Sequence, residues 1–172
     1  REGQDSPRPR GAVDEVESNR GGAAAHLHSA GVEWRPHFKG IKVPAIAHRA
    51  IRAGAIGVTC AKLAEAELMA QVGITDLLVA NQVVGPRKVE RLARLSRQAE
   101  VKAAVDSAAN IEQIGRAAVA AGTEVHVLVE LNTGMNRPGG LPRQPALAPR
   151  RLAHATAGAP YPALTSRAGP PP

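Results

Sequence analysis

Residues 72–82 read VGITDLLVANQ, and this stretch contains the pattern that repeats along the chain. Gly73 stands where a helix would end, because a helix C-terminus often requires a residue with left-handed backbone. Residues 77–80 are a continuous apolar run, typical of a strand buried on both faces of a parallel sheet. Asn81 and Gln82 follow the run at once. The stretch therefore predicts one helix-to-strand junction of an α/β protein whose strands end in polar side chains.

The same pattern recurs before and after this stretch. Gly31, Gly54 and Gly122 occupy equivalent junctions. The predicted strands cover residues 32–37, 55–60, 76–84, 101–107 and 125–132. One-sided helices lie between them, as at residues 87–98, where apolar and basic positions separate at helical spacing. The chain therefore predicts about five consecutive βα units.

Alternating βα units form either an open doubly wound sheet or a closed eight-stranded barrel. Polar side chains at the end of every predicted strand favour the barrel, because all barrel strands contribute to one rim. No Gly-rich phosphate fingerprint of a dinucleotide-binding sheet follows any strand. Three further units would need about 70 residues, and the chain ends too soon for them. We therefore predict a partial TIM (β/α)8 barrel of about five βα units.

Composition divides the chain into three parts. Residues 1–12 mix Pro, Arg, Gly and charge without periodicity and predict a disordered arm. Residues 13–140 form the predicted barrel domain. Residues 141–172 are rich in Pro, Ala and Arg and contain no acid, which predicts a disordered tail, and they read like a GC-rich gene translated in the wrong frame. The formal net charge of +7 arises mainly in the last 42 residues, which hold five Arg.

Several classes of protein are disfavoured by composition. Nucleic-acid binding is not expected, because the three aromatic residues are scattered and the basic excess lies in the tail. A single cysteine, Cys60, excludes a disulfide framework. No apolar run is long enough to span a membrane or to act as a secretory signal. We therefore expect a cytoplasmic protein without a membrane partner, and the absence of an initial Met suggests an incomplete chain.

Residues 34–42, WRPHFKGIK, carry the strongest chemical signal. In an extended segment Arg35, His37 and Lys39 point to one side. Neighbouring positive charge and partial burial favour a neutral lysine amine, which is the form that attacks a carbonyl carbon. A solvated basic loop is the alternative interpretation of the same spacing.

Residues 35–39, RPHFK, resemble the Arg-Pro-His-x-Lys signature of the fold-type III pyridoxal 5'-phosphate enzymes. These enzymes share an alanine-racemase-like N-terminal barrel, and the most similar branch is that of the D-threonine aldolases and D-serine dehydratases. The resemblance extends from about residue 13 to residue 139. Its further motifs are residues 57–62, 80–86, 105–106 and 129–137.

Four residues receive candidate roles, those of Lys39, Arg137 and His37 from the resemblance and that of Asn81 from its place at a strand end. Lys39 would be the Schiff-base lysine that holds pyridoxal phosphate and then serves as a base on one face of the substrate. Arg137 would lie near the phenolic oxygen of the cofactor, with a surface arginine as the alternative. His37 would orient the lysine or simply pack. Asn81, with Gln82 beside it, would bind cofactor or substrate or satisfy local backbone groups.

Other polar residues receive simpler interpretations. Asp106 and Ser107 precede a helix, and capping it is their expected role. Cys60 is expected in the core and Lys62 at the surface start of a helix. The remaining histidines lack the spacing of metal ligands.

The function implied by the resemblance is a pyridoxal-phosphate-dependent lyase for small D-amino acids that bear a β-hydroxyl. Retro-aldol cleavage and β-elimination both stay open. The full-length family binds a divalent metal in this branch, but no metal site is expected in this chain. The alternatives are a non-catalytic cofactor-binding protein and an inactive, truncated gene product. An open sheet edge also leaves a homodimer as an alternative to a monomer.

Overall fold

The computed structural model describes residues 10–133, 156–160 and 163–168, in which helices and parallel strands alternate. The helices are α1 (Arg10–Ser29), α2 (Pro44–Arg52), α3 (Leu63–Gln71), α4 (Pro86–Leu95) and α5 (Ala108–Ala121). The strands are β1 (Val58–Cys60), β2 (Asp76–Val79), β3 (Glu100–Val105), β4 (His126–Thr133) and β5 (Ala163–Ala168). No helix in this part of the chain is both long enough and apolar enough to cross a membrane.

The strands form one parallel sheet in the order β1-β2-β3-β4-β5. Strand order follows chain order, whereas a doubly wound sheet reverses its order at a switch point. Right-handed crossovers between successive parallel strands place the connecting helices on one face. The α/β prediction is therefore confirmed, and the topology is that of a barrel segment rather than of a doubly wound sheet.

The two faces of the sheet carry different side chains. One face packs against the helices and contributes to the main core, for example through Leu77, Val101 and Val127, each at most 1% exposed. The side chains that alternate with these point to the opposite face, which we call the inner face. The inner-face residues of β2, β3 and β4 are Asp76, Leu78, Glu100, Lys102, Ala104, His126, Leu128, Glu130 and Asn132. The ion pairs of Asp76 and the buried carboxylate of Glu130 lie on this face.

The predicted first strand at residues 32–37 is not a regular strand. It pairs with the chain before and within β1 through isolated parallel bridges, Trp34 to Ala55 and His37 to Thr59. Pro36 lies between the bridges and has no N–H to donate. We call residues 34–39 the lysine segment. It runs beside β1, so the order of segments across the sheet still follows the chain.

The glycine junctions are confirmed by the backbone. The four glycines named above have positive φ angles of 69°, 98°, 84° and 63°, in chain order Gly31, Gly54, Gly73 and Gly122. Gly122 is the C-cap of α5, where its amide donates to carbonyls of the last helical turn. Only glycine adopts this conformation without a steric cost, so the sequence pattern had a direct physical basis.

The structure describes parts of both segments that the sequence predicts as disordered. Residues 10–12 belong to α1, which continues through Gly21 and Gly22. Residues 163–168 form β5, which pairs with β4 from Leu128 onward. Residues 156–160 are also ordered, and Ala159 is fully buried. An edge strand needs only backbone partners on one side and tolerates flanking prolines, so composition alone did not reveal it. Residues 1–9, 134–155, 161–162 and 169–172 lie outside the described part.

Candidate functional site

Lys39 lies at the carboxyl end of the lysine segment, and the residue before it fixes its position. Phe38 is 2% exposed and belongs to the core. Its amide donates to the Thr59 carbonyl at 2.8 Å, and the Thr59 amide donates to the Pro36 carbonyl at 2.8 Å. The Lys39 side chain is exposed and begins a turn closed by amides that donate to the Phe38 carbonyl. Burial of Phe38 therefore holds an exposed lysine at the end of a parallel strand segment, where ligands of barrels bind.

His37 contacts the backbone of Lys39. The Lys39 amide donates to Nδ1 of His37 over 3.2 Å. A ring nitrogen that accepts a hydrogen bond carries no proton, so this contact requires the form with hydrogen on Nε2 alone. The bond fixes the imidazole relative to the lysine backbone. It is compatible with the predicted orienting role of His37, which stays a prediction.

The turn after Lys39 is anchored by a second lysine. Lys42 has a φ of 51° and forms an ion pair with Glu65, Nζ to Oε1 at 3.2 Å. The other oxygen of Glu65 accepts from the amides of Ala61 and Lys62 at the start of α3. Burial acts to raise the pKa of Glu65, but these hydrogen bonds and Lys42 outweigh it and hold the pKa below its usual range. Lys42 thus takes the local carboxylate, and no described residue forms an ion pair with Lys39.

Asn81 and Gln82 follow β2, but their side chains bind different partners. Asn81 is exposed, donates to the Ala61 carbonyl at 3.4 Å and accepts from the Gln82 amide at 3.0 Å. These are the local backbone bonds that the sequence left as an alternative, and a cofactor role for Asn81 stays a prediction. Gln82 donates from Nε2 to Oε2 of Glu130 at 2.8 Å, and Glu130 is 2% exposed. Asn81 borders a hollow with Lys62 and other residues that does not include Lys39.

A cluster of charges at the amino end of the inner face was missed by sequence reasoning. Arg35 forms a bidentate ion pair with Asp76, Nη1 to Oδ1 at 2.7 Å and Nη2 to Oδ2 at 2.8 Å. Lys102 Nζ lies 2.8 Å from Oδ1 of the same carboxylate. Burial acts to raise the pKa of Asp76, but the bonds from Arg35 and Lys102 hold the pKa below its usual value. Two features of the sequence could have indicated this cluster. Asp76 is an acidic residue at the start of an apolar strand, and Gly57 leaves room beside it on the preceding segment.

The secondary predictions are largely confirmed. Ser107 is the N-cap of α5, and its Oγ accepts from the Asn110 amide. Lys62 is the exposed N-cap residue of α3. Cys60 is buried, and burial followed by the charge of Glu65 raises the pKa of its thiol to about 12. A thiol with that pKa is not a nucleophile near neutral pH. Arg137, the predicted neighbour of the cofactor, lies outside the described residues.

Metal-ligating side chains do not gather in the described part of the chain. Within residues 10–133, 156–160 and 163–168, no three His, Cys, Asp or Glu side chains stand close enough to hold a metal ion together. Lys39 offers a primary amine at a strand end, and its backbone is held by the bonds of Phe38 and His37.

Comparison with known proteins gives a family match over most of the chain. The family model "alanine racemase, N-terminal domain" matches residues 13–162. A D-threonine aldolase from Arthrobacter sp is 43% identical over 108 residues, which cover 63% of this chain and 28% of the relative. A D-threo-3-hydroxyaspartate dehydratase from Delftia sp. is 31% identical over 127 residues, which cover 74% of this chain and 33% of the relative. The chain thus spans about a third or less of the curated relatives it matches.

A solved structure extends the likeness to three dimensions. The crystal structure of a D-threonine aldolase from Filomicrobium marinum superposes with a TM-score of 0.86 at 41% identity. The match covers 88% of this chain and 41% of that chain. It therefore includes the barrel segment described above and supports the prediction of a partial barrel.

Proposed function

The chain belongs to the alanine racemase N-terminal domain family, and from this membership we propose that it binds pyridoxal 5'-phosphate through Lys39 and serves a lyase reaction on D-amino acids with a β-hydroxyl group. The similar proteins are named for threonine and 3-hydroxyaspartate, and both of these amino acids carry a hydroxyl at the β-carbon. One relative is an aldolase and another is a dehydratase. Because the chain covers only part of each, the reaction and its substrate are both proposals.

The observation that carries the proposal is the setting of Lys39. Its amine is exposed, stands at a strand end, and forms no ion pair with a described residue. An amine that is not bound to a carboxylate is accessible to a carbonyl carbon, with which it can form a covalent bond. Pyridoxal phosphate, when bound, supplies an aldehyde for attachment to such an amine and a ring that withdraws electrons from the substrate. The described residues therefore fit this cofactor.

Each residue near Lys39 has a proposed task. The Nζ atom of Lys39 would hold the cofactor and, once released by the incoming amino acid, accept or return a proton on one face of the substrate. His37, which accepts from the Lys39 amide, would keep the lysine backbone in place. Asn81 and Arg137 would bind the cofactor, Arg137 near its phenolic oxygen. A divalent metal, if one is used, would need ligands beyond those described here.

Aldolase and dehydratase chemistry share their first requirement, which is a lysine-bound cofactor. They differ in the bond that breaks next: an aldolase breaks the bond between Cα and Cβ, and a dehydratase breaks the bond between Cβ and the hydroxyl oxygen. Similarity to relatives of both kinds supports the shared requirement more strongly than either outcome.

The test combines cofactor binding with turnover. Purified protein is mixed with pyridoxal phosphate and its absorption spectrum is followed, with Lys39→Ala as the test variant and Lys62→Ala as the matched control, since Lys62 is an exposed lysine at the next strand end. We expect a visible band in the wild type and the control but not in Lys39→Ala. D-threonine, D-serine and D-threo-3-hydroxyaspartate are then offered. Cleavage to glycine and an aldehyde indicates an aldolase, and release of ammonia indicates a dehydratase.

Two results would count against the proposal. A band that persists in Lys39→Ala would contradict the assignment of this lysine. Binding without turnover of any of the three amino acids would favour the non-catalytic cofactor-binding protein over the lyase.

A further inference from the structure

The lysine segment is weakly held by its backbone. Its links to the chain around β1 are the Ile56 amide to the Trp34 carbonyl at 3.0 Å and the two bonds between Pro36, Phe38 and Thr59. Pro36 cannot donate, so the ladder lacks one bond that a regular strand would make. So few backbone bonds contribute little to fixing the register of the segment. The buried Phe38 anchors the carboxyl end of the segment, and a link at its amino end would constrain the register further.

The ion pair between Arg35 and Asp76 supplies that additional link. Arg35 belongs to the lysine segment and Asp76 begins β2, so the guanidinium reaches across the intervening segment that leads into β1. Two strand spacings amount to about 10 Å, a span that only a long side chain can bridge. Both nitrogens of the guanidinium terminus bind the carboxylate, and Nη1 also lies 3.3 Å from the Asp76 carbonyl. A bidentate pair constrains direction as well as distance.

Gly57 makes this crossing possible. A Cβ atom at position 57 would lie 2.2 Å from Arg35 Nη1 and 2.4 Å from the Asp76 carbonyl oxygen. The φ angle of Gly57 is not positive, so the backbone conformation does not demand glycine there. Instead, the Arg35 guanidinium occupies the space that a side chain at position 57 would fill. Gly57 is therefore required by the close approach of the Arg35 guanidinium and of Asp76 itself rather than by a turn.

Lys102 extends the link to a further strand. It lies on β3 and contacts Asp76 at 2.8 Å and Glu100 at 2.5 Å. The side chains of Arg35, Asp76 and Lys102 are 14%, 28% and 18% exposed, so solvent screens them only in part. The charged group therefore connects the lysine segment to β2 and β3, which lie deeper in the sheet. We call Arg35, Gly57, Asp76 and Lys102 the clasp.

The clasp is too far from Lys39 to act on a bound molecule directly. Lys39 lies four positions after Arg35, a distance of about 13 Å in extended chain at about 3.3 Å per residue. Its effect must therefore pass along the lysine segment, through the backbone bonds of Pro36 and Phe38.

We propose that the clasp is a positioning device, which sets the register of the lysine segment and so presents Lys39 at the carboxyl end of the sheet. This proposal rests on the proposed function in one respect only, because that function says which molecule Lys39 binds. Arg35, Asp76 and Gly57 are positioning residues, and none of them touches the cofactor or the substrate.

The first readout needs no cofactor. Hydrogen exchange of the Ile56, Phe38 and Thr59 amides reports the links of the lysine segment, and the amides of β4, which carries no clasp residue, report global stability. We expect Arg35→Gln and Asp76→Asn to speed exchange at the three reporter amides by about tenfold or more relative to β4, since a charged hydrogen-bonded pair is lost. Arg35→Lys keeps the charge but loses the bidentate geometry, so it should give a smaller acceleration.

The matched control is another bidentate arginine. Arg91 binds Glu67 through Nε and Nη2 and joins α4 to α3, away from the lysine segment. Arg91→Gln should leave the three reporter amides unchanged relative to β4. Equal acceleration in Arg91→Gln and Arg35→Gln would overturn the proposal, because any lost ion pair would then have the same effect.

The second readout is covalent. Pyridoxal phosphate is added at a fixed concentration, the protein is reduced with borohydride, and labelled Lys39 is counted by peptide mapping. We expect labelling of Lys39 to fall by about tenfold in Arg35→Gln, to recover in part in Arg35→Lys, and to stay at the wild-type level in Arg91→Gln. Normal labelling of Lys39 in Arg35→Gln, with unchanged exchange, would overturn the clasp and leave the proposed function intact. Absence of Lys39 labelling in the wild type would instead contradict the proposed function, while hydrogen exchange would still decide the clasp.

Discussion

The two ends of the inner face differ in how their polar groups are used. At the amino end, Asp76 binds both Arg35 and Lys102, and all three side chains are mostly buried. At the carboxyl end, Lys39 and Asn81 are exposed and are held mainly by local backbone contacts. The first end has its charges satisfied by the protein, and the second has groups available to another molecule. In parallel α/β folds, stability is concentrated at the first end and ligand binding at the second.

The largest expected effect is a difference in the free energy of unfolding between two glycine variants, Gly57→Ala at the amino end and Gly40→Ala at the carboxyl end. A Cβ at Gly57 would overlap the Asp76 carbonyl and the Arg35 guanidinium, whereas a Cβ at Gly40, beside Lys39, meets nothing within 4 Å. We expect Gly57→Ala to lower the free energy of unfolding by about 2–3 kcal/mol through overpacking. Gly40→Ala should change it by about 0.5 kcal/mol or less. Urea denaturation of the two variants measures both values. Equal losses would show that the amino end is no more tightly built than the other.

An intermediate effect is expected from the charge of Asp76. Because its pKa is lowered in the folded state, its contribution is present above the unfolded pKa of about 3.9 and is lost as the pH falls toward the folded value. At pH 7, Asp76→Asn should cost about 1–2 kcal/mol. The difference between wild type and variant should shrink as the pH falls below about 4.

Urea denaturation between pH 3 and pH 7 tests this dependence. Asp106 offers a comparison near the other end, since it follows β3 and is partly exposed. Asp106→Asn removes a carboxylate that lies outside this charge cluster and should change the free energy of unfolding at pH 7 by about 0.5 kcal/mol or less. A cost of Asp76→Asn that stays constant with pH would contradict the ion-pair interpretation.

The smallest expected effect is the difference in stability between variants of two neighbouring residues at the carboxyl end, Asn81 and Gln82. Gln82 donates to the buried Glu130, so Gln82→Leu leaves that carboxylate with one partner fewer and should cost about 1 kcal/mol. Asn81→Ala removes only exposed local bonds and should cost about 0.5 kcal/mol or less. If Asn81 binds the cofactor, Asn81→Ala should nonetheless weaken the affinity for pyridoxal phosphate. Thermal unfolding and cofactor titration, measured on both variants, separate the two roles.

The repeated parts of the fold could be predicted from the sequence because their signals are local. Apolar runs marked β2 to β4, and the glycine junctions marked the ends of helices, as their positive φ angles show. Ser107 was recognisable as a cap because its position before a helix is itself the signal. The position of Lys39 at the end of the first strand-like segment followed from the same alternation.

Other features depended on tertiary structure and gave little local signal. β5 pairs through its backbone at a sheet edge, so its Ala- and Pro-rich surroundings suggested disorder. The lysine segment forms isolated bridges rather than a strand because Pro36 interrupts its hydrogen bonding. The pair between Arg35 and Asp76 joins residues 41 positions apart, and no spacing rule connects them.

The most direct test of the central claim is borohydride reduction of the wild-type protein in the presence of pyridoxal phosphate, followed by peptide mapping of every lysine. We expect Lys39 to be the principal labelled residue at low cofactor concentration, while Lys42, bound to Glu65, and the exposed Lys62 and Lys88 stay nearly unlabelled. Preferential labelling of any of these other lysines would contradict the central claim.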